Sequence, residues 1–179
     1  MDTKGDIKKT SDSDISQEAR ALFNRALGYE LGEGQSFTLD EAFKMYLQSA
    51  EMGYPPAQVS IGSMYLVGEG VKADVREAAR WFRLAADQGD SEGQYHLASM
   101  YDHGFGLPVD KSEAERLYLL AAEQGLPEAQ YGLGCLYVFD EGVPRDMVKA
   151  LKWLTASSEN GSFEAKATLL DLKNKGLVD

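Results

Sequence analysis

The feature that most constrains the fold of this chain is an internal repeat with a period of 36 residues. Glycine, tyrosine and alanine each recur at this interval. The recurring sets are Gly53, Gly89, Gly125 and Gly161; Tyr29, Tyr65, Tyr101 and Tyr137; and Ala42, Ala78, Ala114 and Ala150. Such self-similarity is typical of architectures in which every repeat is one small helical or stranded unit. Because one such unit cannot bury its apolar face alone, the period predicts a solenoid of stacked units.

Each repeat is predicted to form two helices. In the second repeat, Ala57 and Ile61 begin an apolar stripe at helical spacing, which marks a first helix, here called the A helix. A glycine-rich turn at 67–71 ends it. Asp74 is a typical N-cap residue, and Glu77 follows three residues later, which is the pattern of a capping box. This pattern predicts that a second helix, here called the B helix, begins after Asp74. Gly89 provides the stop signal for helix B, since glycine adopts the left-handed conformation without steric cost.

Transferring this unit along the period gives the helix boundaries. The A helices are predicted near 16–31, 55–67, 91–103 and 127–139, and the B helices near 38–52, 74–88, 110–124 and 146–160. The repeat units are about 17–53, 54–89, 90–125 and 126–161, followed by a capping helix at 162–175 that repeats only an A element and is expected to seal the stack. Residues 1–14 are polar and aperiodic, which predicts a mobile tail ahead of a solenoid at 15–179.

Small residues recur where helices of a stack must cross closely. Ala26, Gly62, Ala98 and Gly134 share one position of the A helix. Trp81 and Trp153 share one position of the B helix, and their size predicts that they fill the space between the two helices of a repeat.

These residues resemble the Sel-one-like repeat (SLR) family, which is related to the tetratricopeptide repeats. The pattern is clearest in residues 57–65, in 68–71, and then in Asp74, Ala78, Trp81 and Gly89, and it extends over roughly residues 17–175. The resemblance implies an all-α, right-handed superhelical solenoid that serves as an adaptor or scaffold. A cysteine-rich branch of the family carries one disulfide per repeat; Cys135, the only cysteine of this chain, provides none.

Charge and cysteine usage narrow the partners and the compartment. The chain has 18 basic and 29 acidic residues, a net charge of −11 that opposes binding to nucleic acids and anionic membranes. The lone cysteine favours a reducing, cytoplasmic location, and a periplasmic one would require a signal peptide ahead of this sequence. No stretch reaches the roughly 20 apolar residues of a membrane-spanning helix.

Residues capable of catalysis are present but do not form a recognisable set. His96 and His103 lie seven residues apart on one predicted helix, and both are expected to be exposed; two histidines and a distant cysteine do not make a zinc site. Cys135 has no marked basic neighbour to activate it. The Gly-x-Gly turns recur with the fold period and lack the strand that a dinucleotide motif requires. We therefore expect no catalytic residue, metal or cofactor.

The face of the A helices opposite the buried stripe is predicted to line a concave groove that binds another protein or peptide. Transferred along the period, this partner-binding groove comprises Phe23, Leu27, Glu30, Val59, Ser63, Leu66, Tyr95, Ser99, Asp102, Tyr131, Cys135, Val138 and Phe139. For Tyr95 and Tyr131, packing between repeats is an equally good interpretation. Acidic residues along this face, such as Glu30 and Asp102, are expected to steer a basic or amphipathic partner.

The leading functional hypothesis is a non-catalytic interaction module that acts as an adaptor or scaffold. The alternative is an inhibitor or immunity protein that neutralises a toxic enzyme through the same surface. A hydrolase or a small-molecule binder comes third, since it would need a deep pocket with clustered reactive groups.

Overall fold

A computed structural model describes residues 12–30, 38–139 and 142–178, and within these residues the protein is helical without strands. The helices are α1 (Asp12–Glu30), α2 (Leu39–Glu51), α3 (Pro55–Val67), α4 (Val75–Asp87), α5 (Ser91–His103), α6 (Lys111–Glu123), α7 (Pro127–Phe139), α8 (Met147–Glu159) and α9 (Phe163–Asn174). Odd-numbered helices are the A elements and even-numbered helices are the B elements. No described helix combines the length and the apolar composition that a bilayer crossing requires.

The predicted boundaries hold to within one residue for α2 to α9 and fail at the start of the chain. Helix α1 begins at Asp12 instead of residue 16, so residues 12–14 are helical and do not belong to a tail. The rest of the predicted tail, residues 1–11, lies outside the described residues, as does the first Gly-x-Gly turn at 32–34.

The predicted capping boxes form completely before α2 and only by half before α4 and α6. At α2, the Thr38 side chain accepts from the Glu41 amide while the Glu41 carboxylate accepts from the Thr38 amide at 2.8 Å. Asp74 likewise accepts from the amide of Glu77 at 3.1 Å. The Glu77 carboxylate, however, binds Arg80 at 2.9 Å instead of reaching back to the cap. An arginine one turn further along the helix therefore competes for the carboxylate that a capping box needs, and α6 repeats this arrangement.

Helix pairs approach most closely at the small residues of the A helices. A Cβ atom on Gly62 would lie 2.7 Å from the ring of Phe82, and one on Gly134 would lie 2.7 Å from Cγ of Leu154. Phe82 and Leu154 are both fully buried. The predicted close crossing is thus confirmed, and the large residue of helix B enters the space that the small residue leaves.

Buried glutamines connect successive repeats through hydrogen bonds. Gln58 of α3 donates to the carbonyl of Ala50 in α2 at 3.2 Å, and its own side-chain oxygen accepts from Gln88, the C-cap of α4, at 2.8 Å. The bond between C-cap and glutamine recurs one repeat further, from Gln124 to Gln94 at 2.8 Å, and the next repeat uses Asn160 to Gln130 at 2.9 Å. One amide side chain therefore satisfies polar groups of two other helices in a place that excludes water.

The A helices lie side by side on one face of the stack. Helix α3 contacts α5 and α5 contacts α7, whereas successive B helices make at most marginal contact. In a curved stack the elements that approach each other line the inner surface. The A helices therefore form the inner face and the B helices the outer face.

His96 was expected to be exposed, and the structure contradicts this for one of the two histidines. The His96 ring is half-buried and stacks on Phe82 with 4.6 Å between ring centroids, whereas His103 is exposed. The expectation ignored the neighbouring repeat, whose helix pair covers this part of α5. Burial lowers the pKa of His96, although the negative charges of Asp90 and Glu128 act in the opposite direction.

Replacing Trp81 by alanine should lower the free energy of unfolding by roughly 3–5 kcal/mol, as large-to-small substitutions in packed cores do. The Trp81 side chain is only 4% exposed and belongs to the cluster that joins α2, α3 and α4. Urea denaturation would measure the loss. The control is Val148→Ala, since Val148 is 81% exposed, and we expect it to change stability by less than about 0.5 kcal/mol. A loss below about 1 kcal/mol for Trp81→Ala would contradict its place in the core.

The His96→Phe variant should remove part of the loss of stability that accompanies mild acidification. Because burial lowers the folded-state pKa, the unfolded chain takes up the proton first as the pH falls below about 6.5, and this favours unfolding. Phenylalanine preserves the stacking on Phe82 without a titrating group. Melting curves between about pH 7.5 and 5.5 avoid the range near 4.5 where Glu92 acts with the opposite sign. Equal pH slopes for the wild type and the variant would contradict the burial argument.

Candidate functional site

Two adjoining cavities open on the inner face between the A helices of the last repeats. The first, of about 310 Å³, lies between α5 and α7; its walls are Tyr95, Ser99, Asp102, His103, Lys111, Tyr118, Glu128, Tyr131, Gly132, Cys135, Leu136 and Phe139. The second, of about 430 Å³, lies where α7 and α9 begin; its walls are Tyr95, Pro127, Glu128, Tyr131, Asn160, Gly161, Ser162, Phe163 and Glu164. They share Tyr95, Glu128 and Tyr131. We call the two together the A-helix groove.

Six of the thirteen residues that the sequence assigns to a binding groove line the first cavity. These are Tyr95, Ser99, Asp102, Tyr131, Cys135 and Phe139. All six come from α5 and α7, the A helices of the third and fourth repeats. The first two repeats contribute nothing to either cavity.

The predictions for Val59 and Val138 are wrong, because each is only 6% exposed and belongs to the main hydrophobic cluster. Val59 occupies the position of Tyr95 and Tyr131, at the seam where α3 meets α5. A short side chain at this seam is covered, whereas a tyrosine reaches beyond it. Val138 is buried together with Val143 from the turn that follows α7.

The remaining predicted residues lie near the start of the stack. Phe23 packs inward, with ring centroids 5.5 Å from Tyr46 and 5.3 Å from Tyr54. Leu27 and Ser63 are half-buried and Leu66 is exposed, but none of them lines a cavity of the groove. The side chain of Glu30 lies outside the described residues.

Asp102 and Lys111, which both line the first cavity, form an ion pair. The Lys111 amine donates to Oδ1 of Asp102 at 2.7 Å, and these two side chains are only 18% and 14% exposed. The Tyr118 hydroxyl lies 3.4 Å from the other carboxylate oxygen. Burial raises the pKa of Tyr118, and the charge of Asp102 adds to this effect, so the hydroxyl remains a hydrogen-bond donor. Asp102 is therefore a structural partner of Lys111 and not the steering charge on the rim that the sequence suggested.

This ion pair interrupts the repeat pattern. At the period-equivalent positions, Lys111 is replaced by Leu39, Val75 and Met147, and Asp102 is replaced by Glu30, Leu66 and Val138. The Lys111 stem still packs against the turn of the next repeat, since a Cβ on Gly142 would lie 2.9 Å from Cγ of the lysine. Because an apolar pair would fill the same place, and a half-buried ion pair contributes little net stability, stacking does not require it.

The sequence left open whether Tyr95 and Tyr131 pack between repeats or line the groove, and the two residues differ in their packing. Tyr95 and Tyr131 are half-buried. The Tyr95 ring packs near that of Tyr118, with centroids 6.1 Å apart, and the Tyr131 hydroxyl accepts from Thr168 of α9 at 3.5 Å. Tyr131 therefore contacts the next A helix, whereas Tyr95 packs against Tyr118 of its own repeat, and both rings line the groove.

Burial and nearby negative charge raise the pKa values of titratable groups in and beside the groove. Burial raises the pKa of the Cys135 thiol, which keeps it protonated near neutral pH. Burial also raises the pKa of Glu92, and the neighbouring charges of Asp90 and Glu128 add to this. Because the charges of Asp90 and Glu128 both act on Glu92, the start of α5 and α7 is a region of negative potential.

Sequence reasoning missed Lys111, Tyr118 and Phe163 as groove residues. A signal existed for Lys111, since it is a charged residue at a position that is apolar in the other repeats. Tyr118 gave none, because its position holds the large core residues Tyr46, Phe82 and Leu154 in the other repeats.

Comparison with known proteins agrees with this architecture. The profile of the Sel1 (Sel-one-like) repeat family matches four consecutive segments, residues 19–54, 55–90, 91–126 and 127–162. A comparison with curated protein sequences finds no match.

Three solved structures resemble the chain. A protective antigen of uropathogenic Escherichia coli strains, which has an SLR fold, is 33% identical with a TM-score of 0.83 over 93% of this chain and 37% of its own. A Sel1 repeat protein from Oxalobacter formigenes is 31% identical with a TM-score of 0.80 over 86% of this chain and 63% of its own. Cysteine-rich protein B of Helicobacter pylori is 20% identical with a TM-score of 0.54 over 68% of this chain and 96% of its own, which supports the fold alone.

This chain thus spans less than two thirds of the length of the first two proteins. The family profile covers most of the chain in four consecutive repeats, and both longer relatives share the fold over nearly all of it. The chain therefore belongs to the Sel1 repeat family.

Proposed function

We propose that this protein is a non-catalytic interaction module that binds a segment of another protein in the A-helix groove. Sel1 repeats generally mediate protein interactions. The observation that carries the proposal for this surface is the pair Asp102 and Lys111, a polar centre within an aromatic groove that the stacking of the repeats does not require. Polar groups placed among aromatic walls are typical of sites that orient a partner.

The exposure of the aromatic residues supports binding of a protein segment. Phe139 at one end of the groove is 61% exposed and Phe163 at the other is 83% exposed, and half-buried tyrosines lie between them. Tyrosine and phenylalanine anchor protein interfaces because they bury a large area with few rotatable bonds. The elongated, open shape suits a chain segment better than an enclosed small molecule.

The chemistry of the groove supports a non-catalytic role. The Asp102 carboxylate is engaged by Lys111, and the Cys135 thiol remains protonated because burial raises its pKa. Neither group is placed as a free base or an activated nucleophile. A half-buried thiol is also compatible with the reducing, cytoplasmic location that we propose.

The partner is expected to be basic or amphipathic. The chain carries a net charge of −11, and the groove itself adds Glu128 and Glu164 to its walls. Complementary charge raises the association rate and suppresses acidic competitors. Affinity capture from native lysate, with the wild type and a groove variant side by side, would identify the partner; if that partner is an enzyme, its activity in the presence of the protein decides between adaptor and inhibitor.

Substituting Phe139 or Tyr131 by alanine should weaken binding of the captured partner by about 1–3 kcal/mol, at least several-fold in affinity. The reason is that each ring presents apolar area to the groove, while neither is fully buried in the free protein. Surface plasmon resonance would measure the affinity, and melting curves would show that Phe139→Ala costs little stability.

The control variants lie on the outer face. Arg80 of α4 and Arg116 of α6 are exposed and pair with glutamates of their own helices. Arg80→Ala and Arg116→Ala should leave the affinity unchanged. If these variants lose the partner while Phe139→Ala and Tyr131→Ala retain it, the outer face is the functional surface and the proposal is wrong.

A further inference from the structure

The second cavity of the groove differs from the first in the balance of its charges. Its walls include two carboxylates, Glu128 and Glu164, and three aromatic rings, Tyr95, Tyr131 and Phe163, but no basic side chain. Within the described part of the chain, neither Glu128 nor Glu164 takes part in an ion pair. In the first cavity, by contrast, Lys111 already neutralises the carboxylate.

The Glu164 carboxylate is ionised in the free protein near neutral pH, because its pKa is lowered. Glu164 accepts a hydrogen bond from the Ser162 hydroxyl at 3.0 Å, and its pKa is lowered by its own backbone amide and by that hydroxyl. The charge of Glu128 acts across the groove, since it adds to the effect of burial in raising the pKa of Tyr95 on α5. Negative potential therefore extends over the aromatic walls.

The partial positive charges at the N-termini of α7 and α9 compensate only part of this negative potential. A helix N-terminus carries a partial positive charge of roughly half an elementary charge. Glu128 lies in the first turn of α7 and Glu164 in the first turn of α9, so each terminus is paired with one full negative charge. The balance at this end of the groove remains negative.

Acid and aromatic residues also recur together here. Glu128 precedes Tyr131 by three residues on α7, and Glu92 precedes Tyr95 by three on α5, a spacing that places both members of each pair on one helix face. In α3 the same positions hold Pro56 and Val59. The combination is thus confined to the repeats that form the groove and is not a requirement of the fold.

Resting on the proposed function, we propose that the second cavity receives an arginine or lysine side chain of the bound segment. The rings of Tyr131 and Phe163 line this cavity beside Glu128 and Glu164, which supply the opposite charge. A carboxylate beside aromatic faces is the environment that favours a guanidinium or ammonium group over a neutral side chain of similar size. The partner segment therefore carries a basic residue that enters between the starts of α7 and α9.

The test uses a fluorescein-labelled, acetylated peptide with two arginines in an alanine and glycine background, and the same peptide with citrulline, which is uncharged and nearly isosteric. Fluorescence anisotropy with the full chain should show at least about five-fold tighter binding of the arginine peptide. Glu128→Gln should reduce that preference about five-fold. The matched control is Glu123→Gln, since Glu123 is exposed at the end of α6 and lines neither cavity.

Amide chemical shifts would locate the peptide, and Gly161 and Ser162 should be the most perturbed because they line the second cavity. Equal affinity for both peptides, no binding up to about 1 mM, or perturbations away from this cavity would overturn the proposal. Equal losses in Glu128→Gln and Glu123→Gln would overturn it too, since they would indicate attraction to the net charge alone.

The two proposals fail separately. If the captured partner loses affinity with Phe139→Ala but shows no dependence on Glu128, the basic subsite is wrong and the groove still binds. If neither variant affects the captured partner, the groove is not the binding surface.

Discussion

The ring of Phe82 lies where a side chain on Gly62 would have to be, and this exclusion sets the distance between the two helices of a repeat. The same relation holds between Gly134 and Leu154, with Ala98 and Tyr118 at the equivalent positions between them. Because the crossing is fixed by one small and one large residue, every repeat has similar thickness, and the A helices come to lie side by side. The groove follows from this, since its walls are the faces of A helices that the crossing leaves uncovered.

Most of the fold could be predicted from the 36-residue period, because a helix boundary recognised in one clear repeat can be transferred to all the others. The ends of α3, α5 and α7 were predicted to the residue in this way. The groove was harder. A helical wheel drawn for one helix places Val59 and Val138 on an open face, but a helix inside a stack has neighbours on both sides, and whether a residue is covered depends on its length and on the adjacent repeat.

Some contacts that the period does not predict are indicated by residues that depart from the repeat pattern. Asp102 and Lys111 are nine residues apart and belong to different helices, so nothing local in the sequence pairs them. Yet Lys111 breaks a position that is apolar in the other repeats, and a charged residue at such a position indicates a compensating contact. Phe163 gives no such signal, because its exposure depends on α9 being an A element without a following B helix among the described residues.

The amide bridges from Gln58, Gln94 and Gln130 to the C-caps of the B helices also bear on how the stack comes apart. Each bridge joins a glutamine of helix A to the C-cap of helix B in the same repeat. Gln58 and Gln130 also donate to a backbone carbonyl of the preceding B helix. Opening one interior repeat therefore leaves buried amide groups of the next repeat without hydrogen-bond partners. This couples adjacent repeats into a cooperative unit. At the position of these glutamines α9 has Lys166, which is exposed, so the last described helix lacks this amide coupling to the preceding repeat.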